Sequence, residues 1–316
     1  MIKILEDIFS ITDYGETHHL LKLFGLKIKF PKREFAKKKK ESPYYYYKKN
    51  NIDITTIPPA TGQIRDIQLA NLALLKELDY VCKQNGLKYW LDFGTLLGAV
   101  RHKGFIPWDD DIDTGMLRED YEKVIDAFNK SSRNPDIYAG YTRTNDTQYH
   151  IKVKHRKCPH LFVDIFPYDY YGKELGVEEQ LKETKRIKDI RKTINNTINE
   201  KNSNEELIDL IIKSKKDVVK TEINSDNKNL DLVWGIEFNH LWKNWFTPYR
   251  MTEPLQEIEF EGYKFPCLNE PEYIMTKVYG DYMSYPKKIN FAHNAYLEMT
   301  AEDKQVIEDL KNSLER

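Results

Sequence analysis

Four aspartates fall within five residues at Asp109-Asp110-Asp111-Ile112-Asp113. In an extended chain alternate side chains share a face. Asp109, Asp111 and Asp113 therefore project together, with Asp110 and Ile112 opposite. Carboxylates crowded on one face repel one another and call for a cation. A hard ion such as Mg²⁺ or Mn²⁺ suits two aspartates and completes its shell with substrate phosphate oxygens. A calcium loop would need a glycine at its sixth place and a terminal Glu, and both are missing. A solvated acidic turn is the ordinary reading of four acids alone. Here Phe105, Ile106, Trp108 and Ile112 make the surroundings apolar.

Upstream, Leu91-Asp92-Phe93-Gly94-Thr95 reads as a strand running into a Gly-Thr turn where a helix starts. Backbone N–H groups at a helix N-terminus favour a phosphate, and glycine permits its close approach. Downstream, Asp164 stands alone in the apolar run Leu161-Phe162-Val163-Asp164-Ile165-Phe166-Pro167. Burying a lone carboxylate is costly unless it is paired or bound to metal. Asp164 is thus the candidate third acid, the alternative being a hydrogen-bonded core aspartate.

Elements that could carry these residues follow from periodicity. Ile64, Ile67, Ala70, Leu74, Leu75, Leu78 and Val81 mark an amphipathic helix closed by Gly86. Leu87 to Phe93 reads as a strand, Gly94 to His102 as a short helix ended by Gly104, Ile106 to Met116 as containing a strand, and Arg118 to Lys130 as a helix. Short strands are expected near 137–141, 149–154 and 161–166, and charged helices over 176–220. Val233 to Phe246 reads as an aromatic-rich helix holding Trp234, Phe238, Trp242 and Trp245, a stripe more typical of core than of a ligand box. A hairpin is expected around Glu261-Gly262, then a helix capped by Asn269, then a last helix opened by Thr300 and Asp303. The sum is an α+β (mixed α/β) class, a small mixed sheet flanked by helices with a helical C-terminal elaboration.

The division expected is an N-terminal basic and aromatic arm over 1–57 and one catalytic domain over 58–316, with 176–250 as a helical insertion. The arm contains Lys37 to Lys40 and Tyr44 to Tyr47. It reads as a solvated tail, or more sharply as a peripheral contact of residues 1–50 with an anionic membrane face. A formal net charge of −1 over 316 residues argues against a nucleic-acid partner. Three widely spaced cysteines form no zinc pattern and fit reduced thiols. With no signal-like start and no apolar run long enough to span a bilayer, the expected location is the cytoplasm, with any membrane contact peripheral.

Gly94-Thr95, fifteen residues, Asp111-Ile112-Asp113, and a later Asp164 resemble the pattern of the nucleotidyltransferase superfamily. The blocks Leu91 to Met116, Val163 to Pro167 and Tyr279-Gly280-Asp281-Tyr282-Met283 look more closely like the LicD family of phosphotransferases, over roughly 60–295. Thr95 stands where many superfamily members carry Ser or Gly. Near Tyr285-Pro286, one proline stands where the family often has two. The resemblance implies transfer of a phospho-substituent, phosphocholine first, from a CDP-linked donor such as CDP-choline to a hydroxyl of a glycan or lipid-linked oligosaccharide, releasing CMP. Ethanolamine, ribitol and glycerol donors stay open. It further implies that Asp111 and Asp113 hold the metal, with Asp164 a third ligand or the base. Gly94 and Thr95 would cradle a phosphate, and Arg101, His102 and Lys103 would offset the charge of the leaving CMP. His293 is a candidate on the acceptor side. Trp108, Tyr168, Tyr170, Trp242 and Trp245 are candidates to face a quaternary ammonium. Nucleotidyl transfer and a non-catalytic glycan-binding protein are the rival readings.

Overall fold

The computed structural model describes residues 9–14, 18–23, 26–31, 43–144, 148–197, 203–218, 229–237, 242–287, 289 and 297–314. The chain begins with an antiparallel meander, β1 (Phe9–Tyr14), β2 (His18–Leu23) and β3 (Leu26–Pro31). Helix α1 (Pro43–Lys49) follows, then the long α2 (Gln63–Asn85), which ends on Gly86 in the left-handed conformation at φ 64°. The core then runs through β4 (Trp90–Leu91), α3 (Phe93–His102), β5 (Asp113–Leu117), α4 (Arg118–Tyr121), α5 (Val124–Ser131), β6 (Ile137–Thr144), β7 (Gln148–His155) and β8 (Cys158–Tyr171). Helices α6 (Val177–Thr197) and α7 (Asn204–Val218) precede β9 (Asp231–Trp234), β10 (Phe246–Pro248) and α8 (Tyr249–Thr252). The hairpin β11 (Gln256–Phe260) and β12 (Tyr263–Cys267), α9 (Pro271–Tyr279) and α10 (Ala301–Ser313) complete it.

Strand β8 is the spine of a seven-stranded mixed sheet. Along one edge its first half pairs antiparallel with β7 and its last residues with β9. Along the other edge it pairs parallel with β5. This register aligns Lys152 with Asp164 and Asp164 with Asp113. Paired neighbours in a sheet share a face, so one row of the sheet carries a lysine and two aspartates. Helix α2 packs behind this row, with Ile67, Leu74, Leu75, Leu78 and Val81 fully buried. The α+β class and the mixed, helix-flanked sheet are as expected.

Several expectations are corrected. The described part of 233–246 is not helical: Trp234 and Phe246 lie in β9 and β10, which pair antiparallel and extend the main sheet, while Phe238 lies outside the described residues. The aromatic spacing mimicked a helical stripe, but these buried rings need the flat face of a sheet. Within 176–250 the described helices are α6, α7 and the start of α8. The expected 118–130 helix is split into α4 and α5, and the strand expected over 87–93 shrinks to Trp90–Leu91. Within the expected arm, Tyr44, Ile54 and Ile57 are buried. The Tyr44 hydroxyl donates to the Pro107 carbonyl at 2.7 Å, and its ring lies 5.2 Å from that of Trp108. The lysine run 37–40 lies outside the described residues. Helix α9 starts at Pro271, a good first helical residue. Asn269 instead bridges the Arg250 carbonyl and Gln256. The Thr300–Asp303 capping box forms as expected. All three cysteines are free and buried. Among the described residues, no helix is long and apolar enough to cross a membrane.

Arg118, at the start of α4, ties the sheet to the segment after β9. Its guanidinium donates to Asp169 at 2.7 Å and to Glu237 at 2.6 Å, and both acids are buried. Removing one partner of such a cluster strands uncompensated charge. Arg118→Met should therefore lower unfolding free energy by about 3–5 kcal/mol, read by urea denaturation. A loss below about 1 kcal/mol would show that the cluster is solvated.

Candidate active site

The site is built where β4 ends and β5 begins, beside the middle of β8 and the N-terminus of α3. The turn into α3 is made by Phe93, whose backbone is left-handed at φ 38°. Such strain in a bulky residue persists only where the surroundings over-determine it. Here the Phe93 N–H donates to the Asp92 carboxylate at 2.9 Å, while the ring packs on Phe166 at 4.9 Å and Trp234 at 5.1 Å. Asp92 is itself locked. Its amide donates to the Asp113 carbonyl, and its carboxylate accepts from the Tyr168 hydroxyl, which in turn accepts from the Trp234 indole. Burial pushes Asp92 up to about 6, against these hydrogen bonds.

Gly94 follows, with no side chain. A Cβ there would stand 3.3 Å from Asp109 Oδ2 and 3.5 Å from Asp113 Oδ2, inside the acid cradle. Its N–H donates to Asp113 Oδ2 at 3.2 Å. The Thr95 hydroxyl accepts the Asp113 amide at 2.8 Å and so fixes the start of β5. Gly98 allows the return of the chain: a Cβ on it would meet the Gly104 carbonyl at 2.4 Å.

The acidic segment is clamped from behind by α2. Gln68 donates to the Asp109 carbonyl and Asn71 to the Asp110 carbonyl, each at 2.7 Å. Both side chains are fully buried. Asp109, Asp111 and Asp113 are each partly exposed while Asp110 and Ile112 are buried, the alternation expected of an extended stretch. Asp109 and Asp111 are in hydrogen-bond contact, and burial followed by Asp111, Asp113 and Asp110 drives Asp109 well above the usual carboxylate range. Burial followed by Asp111, Asp164 and Asp92 does the same to Asp113.

Asp164 differs. It accepts from Lys152 at 2.9 Å and contacts His150 Nε2 at 2.6 Å. Burial raises its pKa, but His150 and Lys152 together hold it down, at about 2. A carboxylate this acidic is a weak base near neutrality. His150 and Lys152 did not emerge from the sequence. Their signal was the alternation His150, Lys152, Lys154 along a strand whose other face is apolar.

The three basic residues after the Gly-Thr turn each have a partner within the protein. Arg101 is buried and donates to the Tyr282 carbonyl and to His102 Nε2, both at 2.9 Å. His102 is pushed down to about 4 by burial and Arg101, which leaves the imidazole neutral. Lys103 caps α3 in the left-handed conformation, exposed, with its ammonium 3.7 Å from Glu259 of the hairpin. Trp108 is buried under Tyr44 and stacks on Tyr285. His293 lies outside the described residues. Of the five aromatic candidates, Trp108, Tyr168 and Trp245 are buried, and Tyr170 packs on Tyr249. Trp242 is half-buried beside Phe93 and Tyr279.

Among the described residues, no three side chains form a ready metal cage. The donor set is a crowded carboxylate pair with a neighbour, not a closed shell. It fits a hard cation that takes its remaining oxygens from a substrate, and the Cβ-sized cradle at Gly94 leaves room for one. The Thr95 bond can be tested alone. Thr95→Val should cost about 1–3 kcal/mol by leaving the Asp113 amide unsatisfied. Thr95→Ser should cost under about 1 kcal/mol. Equal melting temperatures for the two variants would remove Thr95 from this role.

Residues 86–194 match a model of the LicD/FKTN/FKRP nucleotidyltransferase domain. The lipopolysaccharide cholinephosphotransferase LicD of Haemophilus influenzae is 32% identical over 251 residues, which cover 71% of this chain and 92% of that protein. An uncharacterised Rickettsia prowazekii protein is 31% identical over 119 residues, 36% of this chain and 45% of its own length. The human ribitol 5-phosphate transferase FKRP is 32% identical over 89 residues, 28% of this chain and only 18% of that protein. The match to nearly the whole of the Haemophilus protein, together with the strand-borne aspartates beside the Gly94 turn, makes this chain a member of the LicD family.

Proposed function

We propose that this chain is a metal-dependent phosphotransferase that moves a phospho-substituent, phosphocholine first, from a CDP-linked donor to a hydroxyl of a cell-surface glycan, releasing CMP. The observation that carries the reading is the acid cradle: Asp109, Asp111 and Asp113 crowded against the side-chain-free Gly94, in a family whose named members transfer phospho-substituents. Asp111 and Asp113 would hold Mg²⁺ or Mn²⁺, which when bound offsets charge on the donor diphosphate and polarises it.

The rest of the machinery positions. The acceptor oxygen attacks the phosphorus that bears the alcohol, the bond from that phosphorus to the CMP oxygen breaks, and the hydroxyl proton leaves to solvent or a nearby carboxylate. Such a loose transfer asks for alignment and charge neutralisation more than for strong base catalysis. That requirement matches an Asp164 held ionised by Lys152 and His150. Its role is to fix those two groups and the field beside Asp113, not to take the proton. Glycan acceptors built on lipids would also suit the basic N-terminal segment at a membrane face and a cytoplasmic location.

Metal-dependent CMP release from CDP-choline, CDP-ethanolamine, CDP-ribitol or CDP-glycerol is the direct test. Asp111→Asn and Asp113→Asn should each lower the rate by at least about a hundredfold, and chelation should abolish it. An acceptor product carrying CMP itself would mean nucleotidyl transfer. Silence with every donor and no binding of CMP or metal would sink the enzyme reading. Gly94→Ala should raise KM for the donor roughly ten- to hundredfold while leaving the melting temperature within a few degrees. An unchanged KM would place the donor phosphates elsewhere.

A further inference from the structure

Beside the acid cradle stands an aromatic wall. Phe93 and Trp242 are nearly parallel, at 12°, with centroids 6.4 Å apart. Tyr279 meets Trp242 almost at a right angle, 79°, at 5.4 Å. Phe93 is backed by the buried Trp234 and Phe166. Phe93 itself is buried, whereas Trp242 and Tyr279 keep accessible surface. The wall adjoins the cradle: the Tyr279 phenol is within the field of Asp113, Asp92, Asp109 and Asp111.

We infer that the corner formed by Trp242 and Tyr279, backed by Phe93, is the subsite for a quaternary ammonium headgroup on the donor. The inference rests on the phosphotransferase reading and deepens it. A trimethylammonium group has no N–H to donate, so ring faces and nearby negative charge are what recognise it. Rings set at right angles offer two faces to one cation. Only two carbons separate the quaternary nitrogen of a phosphocholine from its phosphate ester oxygen, so the headgroup must lie next to the phosphate cradle. A polyol headgroup would instead set its hydroxyls against carbon faces, with their hydrogen bonds to water lost.

The position of Trp242 is itself built. Its carbonyl accepts from Lys188 on α6 at 2.6 Å, and nearby Asn244 donates to Gln180 of the same helix. The helical insertion thereby holds the wall in place.

The test compares binding of CDP-choline, its neutral carbon isostere CDP-3,3-dimethylbutanol, and CMP, by calorimetry with Mg²⁺ present. The wild type should prefer CDP-choline over the isostere by about tenfold. Trp242→Leu should erase that preference and leave CMP affinity unchanged, while Trp242→Phe, which keeps a ring face, should retain most of it. Equal binding of the two donors by the wild type would mean apolar stacking and overturn the subsite. So would a preference that survives Trp242→Leu in a protein that still binds CMP. Either of those results leaves metal-dependent CMP release intact. A wild type that binds neither CMP nor any CDP-linked donor overturns the transferase reading and the subsite with it.

Discussion

Like-charge repulsion at the end of one sheet is the constraint around which this protein is arranged. Asp92, Asp109, Asp111, Asp113 and Asp164 lie within electrostatic reach of one another, several of them mostly buried. Water cannot screen them well, so the fold must hold them together by other means. It does so from three sides. Gln68 and Asn71 of α2 grip the backbone carbonyls of the acidic segment, which fixes its path without neutralising its charge. Thr95 and the Gly94 N–H hold Asp113 from the turn, and Lys152 with His150 satisfies Asp164 from the far strand. What is left over is negative charge at Asp109, Asp111 and Asp113, open on one side. Crowding raises the pKa of Asp109 and Asp113, and a cation beside them would let all three ionise.

The same logic separates what the sequence reveals from what it hides. The acids, the Gly-Thr turn, the long helix with its Gly86 end, the Glu261-Gly262 hairpin and the Thr300–Asp303 box were legible because each is set by residues close together in the chain. Strand register is not local. Nothing near Asp164 announces that Lys152 will face it across a ladder, and the alternation His150, Lys152, Lys154 does not say which strand it will meet. The 233–246 segment failed for a related reason. Rings at 234, 238, 242 and 245 fit a helical period, yet Trp234 serves a sheet face and Trp242 a cleft wall, so one pattern had two unrelated causes. Arg101, His102 and Lys103 show a third limit. Chain proximity to the phosphate turn suggested a basic patch, but α3 directs the three side chains to a carbonyl, to a neighbour and to a hairpin acid.

Helix α1 and the segment that follows α9 meet beside the site. Tyr44 and Tyr285 both pack on Trp108, and Lys48 donates to the carbonyls of Pro286 and Lys287. Arg101 reaches the Tyr282 carbonyl from underneath. Segments far apart in sequence are thus fastened to the residue that immediately precedes the acidic run. This ties the placement of Asp109 and Asp111 to α1 through Tyr44 and Trp108.

Acid cradle and aromatic wall are supported by different elements, and that has a consequence for how such a site can change. The cradle depends on α2, α3 and the β5–β8 pair. The wall depends on α6 through Lys188 and on α9 through Tyr279. Phe93 alone belongs to both, and its left-handed backbone is what turns its ring toward the wall while its N–H stays on Asp92. A substitution at Trp242 removes a ring face without disturbing any hydrogen bond to a carboxylate, so headgroup preference can shift while the phosphate chemistry stays. A substitution at Phe93 cannot make that separation, because it alters the turn that sets Gly94 against Asp113. Selectivity is therefore the easily varied property of this architecture, and charge neutralisation at the cradle is the fixed one.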